Sequence, residues 1–380
     1  MEIKKSGIFS TKININNIYF ILYGLELILG IFSRSTFSFS RLALKAFNII
    51  LLLSLIIVIF FVKHNIYELT WLAMGIGISC IIFYFTRQND FFFIILMLFS
   101  FRKMSPKMLL QLVVMISSVM LLILFICSKL NYIPNLFFFR NLSVRESFGT
   151  QYPLVFSTYI FSICSALTML YGRKNRFILS ILFIVVILVL DKFTNSRNDE
   201  ISILLLILII WLTKLSNKVL KSIANISIIL YPIIVIISIF ITQFIPYTSN
   251  IYLTLNQLFS GRLGLQSQII SLYKIRFFGN NIPQIGLGGQ KQAVMNYLYI
   301  DNSYMRFLYM GGILFFIFIL CTIIFTLIKL NNCNLSSIVM ILLIIGFNGI
   351  SSDSIYYLNT AILLPLFFIA IPNYLKDLKD

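Results

Sequence analysis

Long apolar runs alternate with short polar turns along almost the whole chain. A helix needs about 20 mainly apolar residues to cross a bilayer, and fewer where neighbours shield it. Runs of this kind fall at Ile18 to Ser33, Leu42 to Val62, Thr70 to Thr86, Phe91 to Phe101, Met108 to Ser128 and Tyr152 to Tyr171. Further runs fall at Phe177 to Asp191, Ile201 to Leu215, Ile223 to Phe244, Ser303 to Ile328, Ser336 to Ile350 and Ile355 to Ile371. They predict an all-α, polytopic integral membrane protein of about twelve transmembrane helices. The connections are tight and no internal repeat is visible, so residues 1–380 are expected to form a single transmembrane domain. The Phe91 run is the shortest, and the sidedness of everything after it depends on whether it crosses.

One segment breaks the alternation. Residues Ile245 to Asn302 form a long polar and aromatic loop holding Arg262, Lys274, Arg276 and Lys291, eight glycines and prolines, and one acid, Asp301. A loop of this length inside a compact domain is usually functional or disordered, and its tyrosines, phenylalanines and spaced leucines argue against disorder. Ser260 and Gly261 mark a helix start, and Leu265, Ile269 and Leu272 recur at helical spacing through Ile275, predicting an amphipathic helix. Arg262 falls in its first turn, where free N–H groups favour an anion. On a continuous helix Arg276 lies about 20 Å further on, so the two arginines serve two sites or the helix breaks between them.

Composition narrows the class. The 380 residues are 59% hydrophobic and only 11% charged, whereas soluble domains carry about a quarter charged residues. The formal net charge of +18 comes with no basic face or nucleic-acid motif, so it fits anionic lipid or an anionic substrate better than nucleic acid. The five cysteines show no disulfide or metal spacing. Lys4 and Lys5 precede the first run and no small-residue cleavage site follows it, so that run is expected to be a retained anchor.

Basic residues flanking the runs set the orientation. With both termini cytoplasmic, Lys4, Lys5, Lys12, Arg102, Lys103, Lys107, Arg173, Lys174, Arg176, Lys214, Lys218, Lys221, Lys376 and Lys379 lie inside, and the long loop lies outside. Lysine then falls mostly inside, whereas Arg34, Arg41, Arg87, Arg140, Arg145, Arg197, Arg262, Arg276 and Arg306 fall outside. Arginine keeps its charge in poorly hydrated places and offers a planar fork suited to phosphate oxygens. The external surplus therefore implies an anionic substrate, against the plainer account in which each arginine pairs with a nearby carboxylate or headgroup.

Candidate chemistry sits in the external segments. FFFRNLSVRESFGTQYP carries Arg140, Arg145 and Glu146, and TNSRNDE places Arg197 in a turn beside Asp199 and Glu200. Asp301 and Asn302 close the long loop, with Tyr304 and Arg306 one turn on; Asp301 suits either orienting a hydroxyl or capping the next helix. Asp353 is a further external carboxylate. The glycines of FFGNNIPQIGLGGQ neither follow a strand nor open a Gly-Lys-Ser turn, which excludes a nucleotide loop. His64 falls in a cytoplasmic connection, so histidine general-base chemistry outside is excluded. Glu26 and Lys45, in or near the first two runs, suit a structural pair between those helices.

An arginine-bearing loop ending SFG before a proline, a turn of the form TxSR, and a late loop opening SGR and ending DNSY resemble the O-antigen polymerase (Wzy) family of bacterial polysaccharide polymerases, over roughly Arg140 to Asn359. Related O-antigen ligases typically carry a histidine where this chain has Asp301, which favours polymerase over ligase. The resemblance implies transfer of a growing glycan from undecaprenyl diphosphate to a lipid-linked repeat unit, at the outer face of the bacterial cytoplasmic (inner) membrane. It implies no nucleotide, metal or other cofactor, and a chain-length regulator as a protein partner. On it, Arg262, Arg276 and Asp301 are the expected catalytic residues, and Arg140, Arg145, Glu146, Arg197, Asn302, Tyr304 and Asp353 the expected substrate-binding ones. The competing expectations are a flippase for lipid-linked oligosaccharides, an O-antigen ligase and a non-enzymatic membrane scaffold.

Overall fold

The computed structural model describes residues 15–140, 143–246, 248–258, 261–286 and 297–368. Ser260, Lys291 and the lysines expected near both termini lie outside them. The first half holds α1 (Ile15–Ser33), α2 (Ser40–Phe61), α3 (Ile66–Thr86), α4 (Asp90–Phe101) and α5 (Pro106–Lys129), then strands β1 (Phe137–Arg140) and β2 (Ser143–Glu146). The second holds α6 (Pro153–Tyr171), α7 (Arg176–Phe193), α8 (Arg197–Leu212), α9 (Asn217–Phe244), α10 (Asn250–Leu258), α11 (Arg262–Leu272), α12 (Ser303–Tyr309), α13 (Gly312–Asn332) and α14 (Ser336–Asn348). Seven of the described helices, α1, α2, α3, α5, α6, α9 and α13, are long and apolar enough to cross a membrane.

Four expectations are corrected. The chain is mostly helical, as expected, but β1 and β2 pair antiparallel with Phe137 opposite Glu146 and Arg140 opposite Ser143; the β-favouring run FFF and a short turn make a hairpin where only a loop was expected. The Phe91 run forms α4, whose twelve residues rise about 18 Å, shorter than a bilayer core of about 30 Å, although it still carries the chain from the end that holds 87–89 to the end that holds 102–105. Apolar almost all round, α4 is buried between α2, α3 and the 3-10 turn Leu364–Phe368, as a helix with no polar face must be. The last expected span forms no α-helix over 355–368; it folds back in turns inside the bundle. Tyr159 and Tyr23, from α6 and α1, donate their hydroxyls to the carbonyls of Asn359 and Ile362 there, so two carbonyls of this non-helical backbone are satisfied by side chains.

The fourth correction concerns the run Ser303 to Ile328, which breaks into α12 and α13 at Met310–Gly312. Gly312 and Gly279 both have positive φ, 81° and 80°, and a Cβ on either would collide with the other's strand of backbone. The closeness lets the loop serve the break: Ile313 N and Leu314 N, orphan donors at the start of α13, reach the carbonyls of Arg276 and Phe277 at 3.2 and 3.3 Å. Asn280 answers from the other side, donating its backbone N–H and its side-chain amide to Tyr309 O, both at 2.9 Å.

The helix connections collect at two ends. One end gathers residues 34–39, 87–89, the hairpin, 194–196, the long loop and 349–360, tied by contacts such as the Ser35–Thr150 bridge and Ser303 N to Ser352 O. The other gathers 62–65, 102–105, 172–175, 213–216 and 333–335.

Candidate functional site

At the first of these ends a cleft of about 480 Å³ opens among the loops. Strand alternation decides which hairpin residues face it. Arg145 turns inward, stacking 5.5 Å from the Tyr152 ring, while its neighbour Glu146 points to the other face and binds Lys129 at 2.7 Å and Asn135 at 2.9 Å. Glu146 therefore ties the hairpin to α5 and takes no part in the cleft.

The TNSR turn supplies carbonyls rather than its arginine. Asn195 has φ 46°, and the turn aims Thr194 O at Arg145 Nε (2.5 Å) and Asn195 O at Arg140 Nη1 (3.2 Å). Ser157 and Ser196 hydroxyls (both 2.5 Å) and the Asn348 amide (2.9 Å) converge on the buried Asp199 carboxylate, fixing the turn to α6 and α14. Arg197 is exposed and does not line the cleft.

From the long loop, Gly261 at φ 83° starts α11, so Arg262 stands in the first turn and faces Asp301, Nε to Oδ2 3.6 Å. The helix ends at Leu272 rather than running on to Ile275. Arg276 lies beyond it, exposed and outside the cleft, because its backbone is committed to the start of α13. Asn302, not Asp301, caps α12, accepting from Tyr304 N at 2.9 Å and Met305 N at 3.1 Å. That frees Asp301 for the cleft and makes Asn302 structural. Tyr304 is structural too: its hydroxyl is buried between Tyr231 (2.8 Å) and Gly346 O (3.0 Å).

Asp353 closes the opposite wall. Its Oδ2 accepts from the Tyr299 hydroxyl and lies 3.5 Å from Arg306 Nη2. Arg306 is fully buried, donates Nε to Ile300 O at 2.6 Å, and is sandwiched by Tyr299, Tyr356 and Tyr357 with its carbon 4.5 to 5.1 Å from the ring centres. Arg34, just past α1, stacks 4.2 Å over Tyr357 and donates Nε to Asn359 at 3.0 Å.

The cleft thus faces Arg34, Arg140, Arg145 and Arg262 with Asp301 and Asp353. Four guanidinium groups against two carboxylates leave net positive charge, and most are anchored by neutral carbonyls or rings that orient without discharging them. Arg145 Nη2 is buried with no hydrogen-bond partner among the described residues, at a cost only a ligand or water offsets. Burial lowers the pKa of Arg140, helped by the neighbouring guanidinium groups of Arg145, Arg197 and Arg262. Burial raises that of Asp301, which Arg262 opposes. Among the described residues no three His, Cys, Asp or Glu are grouped to hold a metal ion.

Of the expected residues, Arg140, Arg145, Arg262, Asp301 and Asp353 meet in one cleft, whereas Glu146, Arg197, Arg276, Asn302 and Tyr304 do not. Arg34 and Arg306 were visible only as members of the external arginine set. No family model matches the chain, and no significant similarity to a curated protein or a solved structure is found.

Proposed function

We propose that this protein is a polysaccharide polymerase of the bacterial cytoplasmic membrane, moving a growing glycan from undecaprenyl diphosphate to a lipid-linked repeat unit with the loop end outward. The arginine-rich cleft with its buried, partnerless Arg145 nitrogen carries this reading. Arg140, Arg145 and Arg262 take the diphosphate. A carboxylate, Asp301 or Asp353, accepts the proton of the acceptor hydroxyl as its oxygen bonds to the anomeric carbon. The old bond from that carbon to the diphosphate breaks, and the electron pair leaves on undecaprenyl diphosphate, where fixed guanidinium charge stabilises it. Neither nucleotide nor metal enters this sequence of bond changes.

A strain lacking the chromosomal copy and complemented with Arg262→Ala tests it. Surface glycan should collapse from long chains to single capped repeats while the variant protein accumulates normally in the membrane. Normal chain lengths would remove Arg262 from the reaction, and loss of even single repeats would favour the flippase.

A further inference from the structure

A second cavity, about 350 Å³, lies beside the first and shares Arg34, Gln151 and Tyr357 with it as a common wall. On the far side of that wall its chemistry changes. α2 presents Arg41, Leu44 and Asn48 to it, positions three and four apart and so on one helix face. Asn89, preceding α4, stands opposite. The side chains of Arg41, Asn48 and Asn89 make no hydrogen bond or ion pair with any described residue, and Asn89 does not cap α4 although it stands at the cap position. Asn48 is half-buried on a helix of high hydropathy, where an amide without a polar partner is costly, whereas Arg41 and Asn89 are exposed. The floor is apolar, with Phe47 buried, and the same helix continues outward through Leu42 and Leu44, 68% and 43% exposed. The lining also holds a carboxylate, Asp90, whose Oδ2 accepts from the Tyr356 hydroxyl at 2.9 Å, against two cations, Arg34 and Arg41, and the amides of Asn48, Asn89, Gln151 and Asn359. A pocket of net positive charge, rich in amides and with an apolar exit along a spanning helix, matches a lipid with a phosphate-bearing, hydrogen-bonding head.

We propose that this cavity seats the second lipid-linked partner, so that donor and acceptor diphosphates lie on either side of Arg34; this rests on the polymerase reading. Arg34 suits the position, since its Nε donates to Asn359 while its terminal nitrogens, within the field of Asp353, form no hydrogen bond with a described residue. One cation thus lines both sites.

Native mass spectrometry of the full chain in detergent, titrated with undecaprenyl diphosphate and separately with phosphatidylglycerol, tests it. The wild type should take two copies of undecaprenyl diphosphate. Arg41→Ala with Asn48→Leu should weaken one copy about tenfold or more, Arg41→Lys should recover much of it, and Arg262→Ala should weaken the other copy instead. Arg41 is exposed, so its replacement is not expected to disturb folding. Two copies persisting unchanged in the Arg41→Ala, Asn48→Leu variant would overturn the second site and leave the polymerase reading standing, as would displacement of the second copy by an equal concentration of phosphatidylglycerol. No binding of undecaprenyl diphosphate to the wild type would overturn both.

Discussion

The two ends of the bundle handle basic residues in opposite ways. At the end away from the cleft, a single Glu68 oxygen takes Arg102 at 2.7 Å and Lys103 at 2.9 Å. Arg102 also donates to Phe99 O at 2.8 Å, meets His64 Nδ1 at 2.7 Å and stacks 3.6 Å over the Phe99 ring. Around the cleft the arginine–carboxylate contacts are 3.5 and 3.6 Å, and carbonyls and tyrosine rings do most of the holding. The first arrangement consumes charge in making a joint between two turns. The second fixes the position of charge while leaving its field for something that arrives, which is how a site for a developing anion is preorganised.

The sharpest break of this contrast is to remove one cation from the cleft and one from the same end of the bundle but outside the cleft. Arg262→Ala should lower in vitro polymer formation by about 100-fold or more, the scale for losing one preorganised donor to a developing anion, with thermal unfolding unchanged. Arg276→Ala, outside the cleft, should leave the rate within about twofold, the range of an ordinary surface substitution. Equal losses in the two variants would show that the cleft is not where charge is handled.

Glu68→Gln should do the reverse. It leaves Arg102, whose side chain is fully buried, and the nearly buried Lys103 without their shared anion, and breaking such a buried pair costs about 3 kcal/mol or more. Denaturant unfolding in detergent should report that loss, and the protein that remains folded should polymerise at the wild-type rate. A slow but fully stable Glu68→Gln would erase the distinction between the ends.

How much of this was legible in the sequence follows from what fixes each feature. The apolar runs located nearly every helix, since periodicity and length are local properties. That α4 is short and enclosed by its neighbours depends on what packs round it, and composition cannot say that. The arginine surplus was countable, but its members separated only in three dimensions. Arg145 and Glu146, adjacent in sequence, part company because strand geometry sends them to opposite faces, and that strand was hidden in a run taken for a loop. Arg276 was misplaced because Gly279 and Gly312 draw its backbone onto the start of α13, a contact between segments 33 residues apart at the glycines. Asp301 and Asn302 both suit a helix cap, and only the hydrogen bonds from Tyr304 and Met305 decide between them.

That decision supplies a smaller test. Asn302→Ala removes the α12 cap and should cost about 1 kcal/mol in denaturant unfolding, and by loosening Asp301 it should slow polymerisation more than it destabilises. Asp301→Asn keeps the shape and changes the charge. If Asp301 is the base, its carboxyl, held above the usual range by burial, protonates at a higher pH than a free aspartate near 3.9. The wild-type rate should then fall on acidification earlier than a free aspartate would dictate, and Asp301→Asn should abolish that limb along with most of the rate. An unchanged acid limb in Asp301→Asn would transfer the role to Asp353.

The smallest expected effect returns to the closed end. His64 Nε2 lies 3.1 Å from Val58 O and Nδ1 lies 2.7 Å from Arg102 Nη2, so the neutral ring donates to the carbonyl and accepts from the guanidinium. Burial, and then the charge of Arg102, lowers its pKa. A histidine whose folded pKa lies below its unfolded value near 6.5 binds fewer protons folded than unfolded. Its share of stability is therefore complete above about pH 6.5 and shrinks as pH falls toward the folded pKa. Wild-type melting temperature should decline with acidification through that window, and His64→Gln, which can neither gain the proton nor repel Arg102, should flatten the decline. The cleft should show no such step, since its arginines do not titrate there, and polymerisation by His64→Gln at neutral pH should match the wild type. A wild-type melting temperature flat from pH 7 to the carboxylate range would mean that Glu68 absorbs the added charge and that the joint is more tolerant than its geometry implies.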